Sequence, residues 1–179
     1  MKRNVLWITQ TGIFIALLIV VQFATASLGN TIITGSAVNL ILIVSVMTYG
    51  LSSALSVGIV SPIFAKLLGI GPLWELIPFI ILGNIVLINV WYFICKIRPD
   101  KPIVIYIISA VSAAVAKFLT LYLGIVVIAV PILLKLPEKQ AAVISNMFSI
   151  PQLITALIGG GIAVAILPVL KKATSHPKS

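Results

Sequence analysis

Ionised side chains are nearly absent from the long apolar stretches of this chain. Its 179 residues contain three carboxylates, Glu75, Asp100 and Glu138, and twelve Lys and Arg. Between the polar breaks lie six apolar runs, at about residues 5–26, 32–49, 51–68, 73–95, 103–130 and 144–170. Each is close to the roughly 20 residues a helix needs to cross a hydrocarbon core about 30 Å thick. Charged residues make up 8% of the chain, against about 25% in soluble domains, too few to cover a surface facing water. The sequence predicts an all-α polytopic membrane protein, one integral-membrane domain of six transmembrane helices over residues 1–179. Soluble enzymes and nucleic-acid-binding modules are excluded.

A net charge of +9 would point to a polyanionic partner in a soluble protein. Here the basic residues sit at the ends of the apolar runs, where cytoplasmic loops concentrate Lys and Arg. One side collects Lys2, Arg3, Lys96, Arg98, Lys101, Lys171, Lys172 and Lys178, and the other only Lys66, Lys135 and Lys139. The richer side is expected in the cytoplasm. Both termini are then cytoplasmic, which demands an even number of spans and agrees with six. The first run also imitates a secretory signal, because Ala24-Thr25-Ala26 has the form of a cleavage site. Signal cores are about 7–15 residues long; this run is longer and is taken as a retained helix.

The chemistry of catalysis is missing. No phosphate-cradling G-x-x-x-x-G-K-[ST] loop occurs, and no acid–base pair or Ser-His-Asp set can be assembled from so few titratable groups. The single cysteine, Cys95, and the single histidine, His176 in the polar tail, offer neither a disulfide nor a metal site. No cofactor is expected. Asp100 and Glu138 fall in polar loops and Glu75 near the outer end of the fourth run. No deep carboxylate is therefore at hand to carry a coupling proton. Binding or permeation is the expected activity, not bond chemistry.

One cation is set deep. Lys117 lies about 15 residues into the fifth run, roughly 22 Å from its cytoplasmic start at 1.5 Å per residue. An ammonium at that depth costs a few kcal/mol and usually faces a cavity or a partner. It either meets an anionic group of a ligand, pairs with Glu75, or snorkels to the outer interface. Asn84 on the fourth run, Asn146 and Gln152 on the sixth and Trp74 at the outer interface fall at similar depth. With the uncharged loop around Asn30 they form a candidate outward-facing pocket of amides, an aromatic plate and one cation. Taken singly, the amides suit interhelical hydrogen bonds and Trp74 an aromatic belt. Pro62 in the third run leaves a backbone carbonyl unpaired, which a neighbouring helix must satisfy. Gly12 and Ala16, four apart on the first run, allow close approach of another helix. Gly159-Gly160-Gly161 on the sixth forms a second strip of that kind.

With these residues in view, the chain resembles the substrate-binding S-components of energy-coupling factor (ECF) vitamin transporters, over nearly its whole length. In that family a small-xxx-small motif on the first helix docks the transmembrane coupling subunit, and Gly12 and Ala16 match it, with Gly in place of the usual first Ala. The stretches Thr34-Gly35-Ser36-Ala37-Val38-Asn39, Gly69-Ile70-Gly71-Pro72 and Pro78-Phe79-Ile80-Ile81-Leu82-Gly83-Asn84 are also similar to family members. The resemblance implies a prokaryotic cell-membrane protein that captures a water-soluble vitamin or related micronutrient. A coupling subunit and two cytoplasmic ATPases would supply the energy. It further implies an outer site drawing on Trp74, Glu75, Asn84, Lys117, Asn146 and Gln152, a lid in the first loop, and release by toppling of the subunit. Lys117 inclines the substrate toward one bearing a carboxylate. The alternative is a stand-alone, gradient-driven small-solute transporter or channel.

Overall fold

The computed structural model describes residues 2–97 and 102–174. Arg98, Asp100, Lys101, His176 and Lys178, which entered the charge and metal arguments above, lie outside the described residues. Every element is helical, and among the described residues there is no strand. The order is α1 (Lys2–Ala26), α2 (Thr31–Tyr49), α3 (Leu51–Leu67), α4 (Ile77–Lys96), α5 (Pro102–Leu121), α6 (Glu138–Met147) and α7 (Ile150–Thr174). Five segments are long and apolar enough to cross a membrane, and α3, with 17 residues, sits at the lower limit of that range.

Local chemistry explains the breaks. Asn30 caps α2, its Oδ1 accepting from the Ile32 and Ile33 N–H groups at 2.9 and 3.4 Å. Gly50, at φ +87°, ends α2 and starts α3 with no loop between, its N–H closing on the Val46 carbonyl. A single 3₁₀ turn, Trp74–Leu76, leads into α4, whose first turn accepts Pro78 because no helical N–H is needed there. Past Leu121 the fifth helix runs on to Leu134 in a wider π winding, beyond the 103–130 of the fifth run, and stops at Lys135 with φ +45°.

The polar stretch at 135–140, expected to separate two spans, gives way at Glu138 to α6. The apolar run at 144–170 is divided between the end of α6 and α7. Pro151 accounts for the division. It has no N–H for the carbonyl four residues back, that of Met147, and Gln152 Nε2 takes that carbonyl instead, at 3.1 Å.

Antiparallel packing gathers the end of α1, the start of α2, the end of α3, the starts of α4 and α7 and the end of α6 at one end of the bundle. At the other end, α1 meets α3 through Trp7 Nε1–Ser52 Oγ (3.1 Å) and Thr11 Oγ1–Ser53 Oγ (2.8 Å). The core between them is apolar, with Leu18, Leu42, Ile88, Trp91 and Leu167 almost fully buried. The Gly159-Gly160-Gly161 strip divides its work. A Cβ on Gly159 would stand 2.6 Å from the Ser36 carbonyl oxygen of α2, and one on Gly160 3.1 Å from Ala110 Cβ of α5. One on Gly161 would meet nothing within 4 Å. Gly12 and Ala16 lie on the exposed side of α1, with open space over Gly12.

Candidate binding cavity

Pro62 begins the chain of causes that builds the site. Within α3 it supplies no N–H to the carbonyl of Gly58, four residues earlier. Asn84 on α4 fills that vacancy, its Nδ2 donating to Gly58 O at 3.1 Å. The bond fixes the amide's orientation, since a carbonyl must face the NH₂ side. Asn84 Oδ1 is thereby turned toward α5, where it accepts from Lys117 Nζ at 2.8 Å. From the other flank Asn39 Oδ1 on α2 accepts from the same ammonium at 2.6 Å. Asn39 Nδ2 in turn donates to Thr155 Oγ1 on α7 at 3.4 Å, and the Thr155 hydroxyl donates to the Gln152 carbonyl at 3.0 Å. One cation thus ties together α2, α4, α5 and, through its partners, α3 and α7.

This hub lies against a cavity of about 690 Å³ at the end of the bundle described above. Its polar walls include Gln22 on α1 and Ser61 on α3, besides Asn39, Asn84, Lys117 and Gln152. Lys66 and the Gly69–Pro72 segment also line it. In that segment Gly69 and Gly71 take φ of +77° and +98°, a geometry that side chains disfavour. Asn30, Thr31 and Thr34 at the start of α2 add further polar groups, and Val38, Ile77, Ile80, Ile144, Met147 and Phe148 supply an apolar part of the wall.

Lys117 is 4% exposed. A buried ammonium loses several kcal/mol of hydration, which two amide oxygens offset only in part, because neither carries a countercharge. No carboxylate lines the cavity among the described residues. Glu75 is exposed on the 3₁₀ turn and makes no ion pair with Lys117, whose partners are the two asparagines. Unsatisfied polar atoms accompany the uncompensated charge. Gln22 Oε1 and Ser61 Oγ are buried and have no hydrogen-bond partner among the described residues. Such groups carry a desolvation cost of about 1–3 kcal/mol each unless something binds them. No cluster of three or more His, Cys, Asp or Glu suited to a metal occurs among the described residues.

Of the six residues singled out from sequence, Lys117, Asn84 and Gln152 come together at the cavity. Trp74, Glu75 and Asn146 are not in its wall. The short turn before α4 buries Leu76 and Ile77 and leaves Trp74 half exposed with Glu75 beside it. Asn146 is exposed on α6. Asn39, Gln22, Ser61 and Thr155 were not picked as site residues. Asn39 and Gln22 carried the signal that marked Asn84, an amide set within an apolar run. Comparison of the chain with protein families, with curated proteins and with solved structures finds no match in any of the three.

Proposed function

We propose that this protein is the substrate-capture subunit of an ECF-type importer, holding a small water-soluble solute in the end cavity for partner proteins to move. The observation that carries this is the cavity itself. It is lined by six helices and the short α6, with convergent polar groups set among apolar ones and a buried cation in its wall. The same chain has no nucleotide loop, and among the described residues no carboxylate lines the cavity to couple transport to protons. A binding pocket without an engine suits a division of labour with a transmembrane coupling subunit and two ATPases. In this reading the cavity end faces outward and both termini face the cytoplasm, in keeping with the excess of Lys and Arg that the sequence puts on the side of the termini. The solute is a vitamin or related micronutrient, and the cell is prokaryotic. Gly12 and Ala16, exposed on the outer side of α1, are the contact offered to the coupling subunit.

A mild-detergent pull-down of tagged protein from native membranes tests this. Recovery of a membrane subunit and ATPases, lost in the Gly12→Leu/Ala16→Leu variant, is the expected result. Recovery of the protein alone from well-expressed, intact membranes would refute it.

A further inference from the structure

Three features of the cavity point to what enters it. First, the Lys117 ammonium has three hydrogens and two protein acceptors, Asn39 Oδ1 and Asn84 Oδ1. One N–H remains, on a side chain that lines the cavity. Second, no countercharge lines the cavity among the described residues, so an anionic ligand would supply what the buried ammonium lacks. Third, Gln22 Oε1 and Ser61 Oγ, on two other walls, are buried and unpartnered. Gln22 Oε1 can only accept, so it calls for an N–H or O–H on the ligand.

We infer that the cavity takes a small organic carboxylate that also carries an N–H or O–H group. Its carboxylate receives the free Lys117 N–H, and its donor reaches Gln22 Oε1. This deepens the capture proposal and rests on it. A phosphate ester fits less well. Such a group near neutral pH carries up to two charges and several acceptor oxygens, and is usually met by clusters of Arg, backbone N–H groups or a helix N-terminus. Among the described residues no Arg lines the cavity, Lys117 is its one buried cation, and the first N–H groups of α2 are already held by Asn30 Oδ1. Each neighbouring amide already spends a hydrogen elsewhere, Asn84 on Gly58 O and Asn39 on Thr155. Size follows from volume. At roughly 30 Å³ per water molecule, 690 Å³ equals about twenty waters, room for a ligand on the order of twenty non-hydrogen atoms or somewhat more. Lys66, half-buried in the cavity wall, adds positive potential for an arriving anion.

The probe is the low-molecular-weight fraction of an extract from the cells that express the protein. Detergent-purified full chain is equilibrated with it and desalted, and the retained compounds are released and identified by mass spectrometry. One enriched carboxylic acid is expected, and its synthetic primary amide should bind at least a hundredfold more weakly. Lys117→Met should lower affinity for the acid by at least tenfold. Because that change also disturbs the hub, Gln22→Met, which lies outside it, serves as a second variant and should cost roughly tenfold in affinity with a melting temperature that holds or rises. Enrichment of a neutral, cationic or phosphorylated compound overturns the carboxylate assignment and leaves substrate capture standing. Equal binding of acid and amide does the same. Retention of no compound overturns both.

Discussion

A single methyl group added at Gly159 tests how the hub is held together. At that point α7 lies so close to α2 that a Cβ would stand 2.6 Å from the Ser36 carbonyl oxygen, 2.8 Å from Asn39 Cβ and 2.9 Å from the Leu40 nitrogen. Two of these neighbours are backbone, which cannot rotate away. An ordinary contact begins near 3.4 Å, so Gly159→Ala must push the two helices apart by about 0.8 Å (3.4 less 2.6). Overpacking of this kind costs about 1–3 kcal/mol, or roughly 5 °C in melting temperature for a chain of this size. The displaced helix carries Asn39, so the 2.6 Å bond to Lys117 should lengthen and affinity for the captured solute should fall several-fold. The two neighbouring glycines are internal controls. Gly160→Ala faces the small Ala110 side chain at 3.1 Å and should cost less than half as much. Gly161→Ala meets open space and should be neutral or slightly stabilising, since alanine is the better helix former. Thermal melts of the three variants in one detergent give the order. If Gly159→Ala melts with the wild type, or the three variants are alike, the close contact of α2 and α7 is wrong.

Other outcomes follow from the same geometry. Asn84→Leu removes the donor to Gly58 O and one acceptor of Lys117, and should destabilise the protein by about 2–5 kcal/mol; a melt within 2 °C of wild type, by the roughly 2–4 °C per kcal/mol of a chain this long, would refute it. Asn84→Asp places a carboxylate against the ammonium but leaves Gly58 O without its donor, so an anionic solute should lose at least tenfold in affinity in equilibrium binding while the melting temperature falls. Pro62→Ala restores the N–H that Gly58 O lacks and competes with Asn84 for it; the melting temperature should hold or rise while solute affinity drops. Trp74→Ala and Asn146→Ala, both outside the cavity wall, should leave solute affinity within twofold of wild type.

The helices and the deep cation were legible because both rest on one-dimensional facts. Apolar runs of membrane-crossing length announce helices whatever their packing, and a lysine far from either end of such a run is conspicuous. Pro62 also announced an orphan carbonyl, and Asn84 turned out to be its partner across the helix interface. Helix rotation was not legible. Hydropathy does not distinguish the cavity face from the lipid face when both are apolar, so Trp74 and Asn146 were grouped with Asn84 by depth alone. Asn39 and Gln22 were passed over for the same reason, since only packing of α1 and α2 turns them inward. The split at residues 147–150 was missed because the apolar run continues across it. Its cause is local, with Pro151 deleting one hydrogen bond and Gln152 replacing it.

Uptake by proteoliposomes containing this chain alone tests the central claim most directly. With the solute identified, the reconstituted protein should bind it saturably, close to one per chain, yet accumulate none under an imposed proton or sodium gradient. Accumulation should begin only when the co-purified membrane subunit and ATPases are added with ATP. Gradient-driven accumulation by the chain alone would contradict the division of labour and establish a self-sufficient transporter.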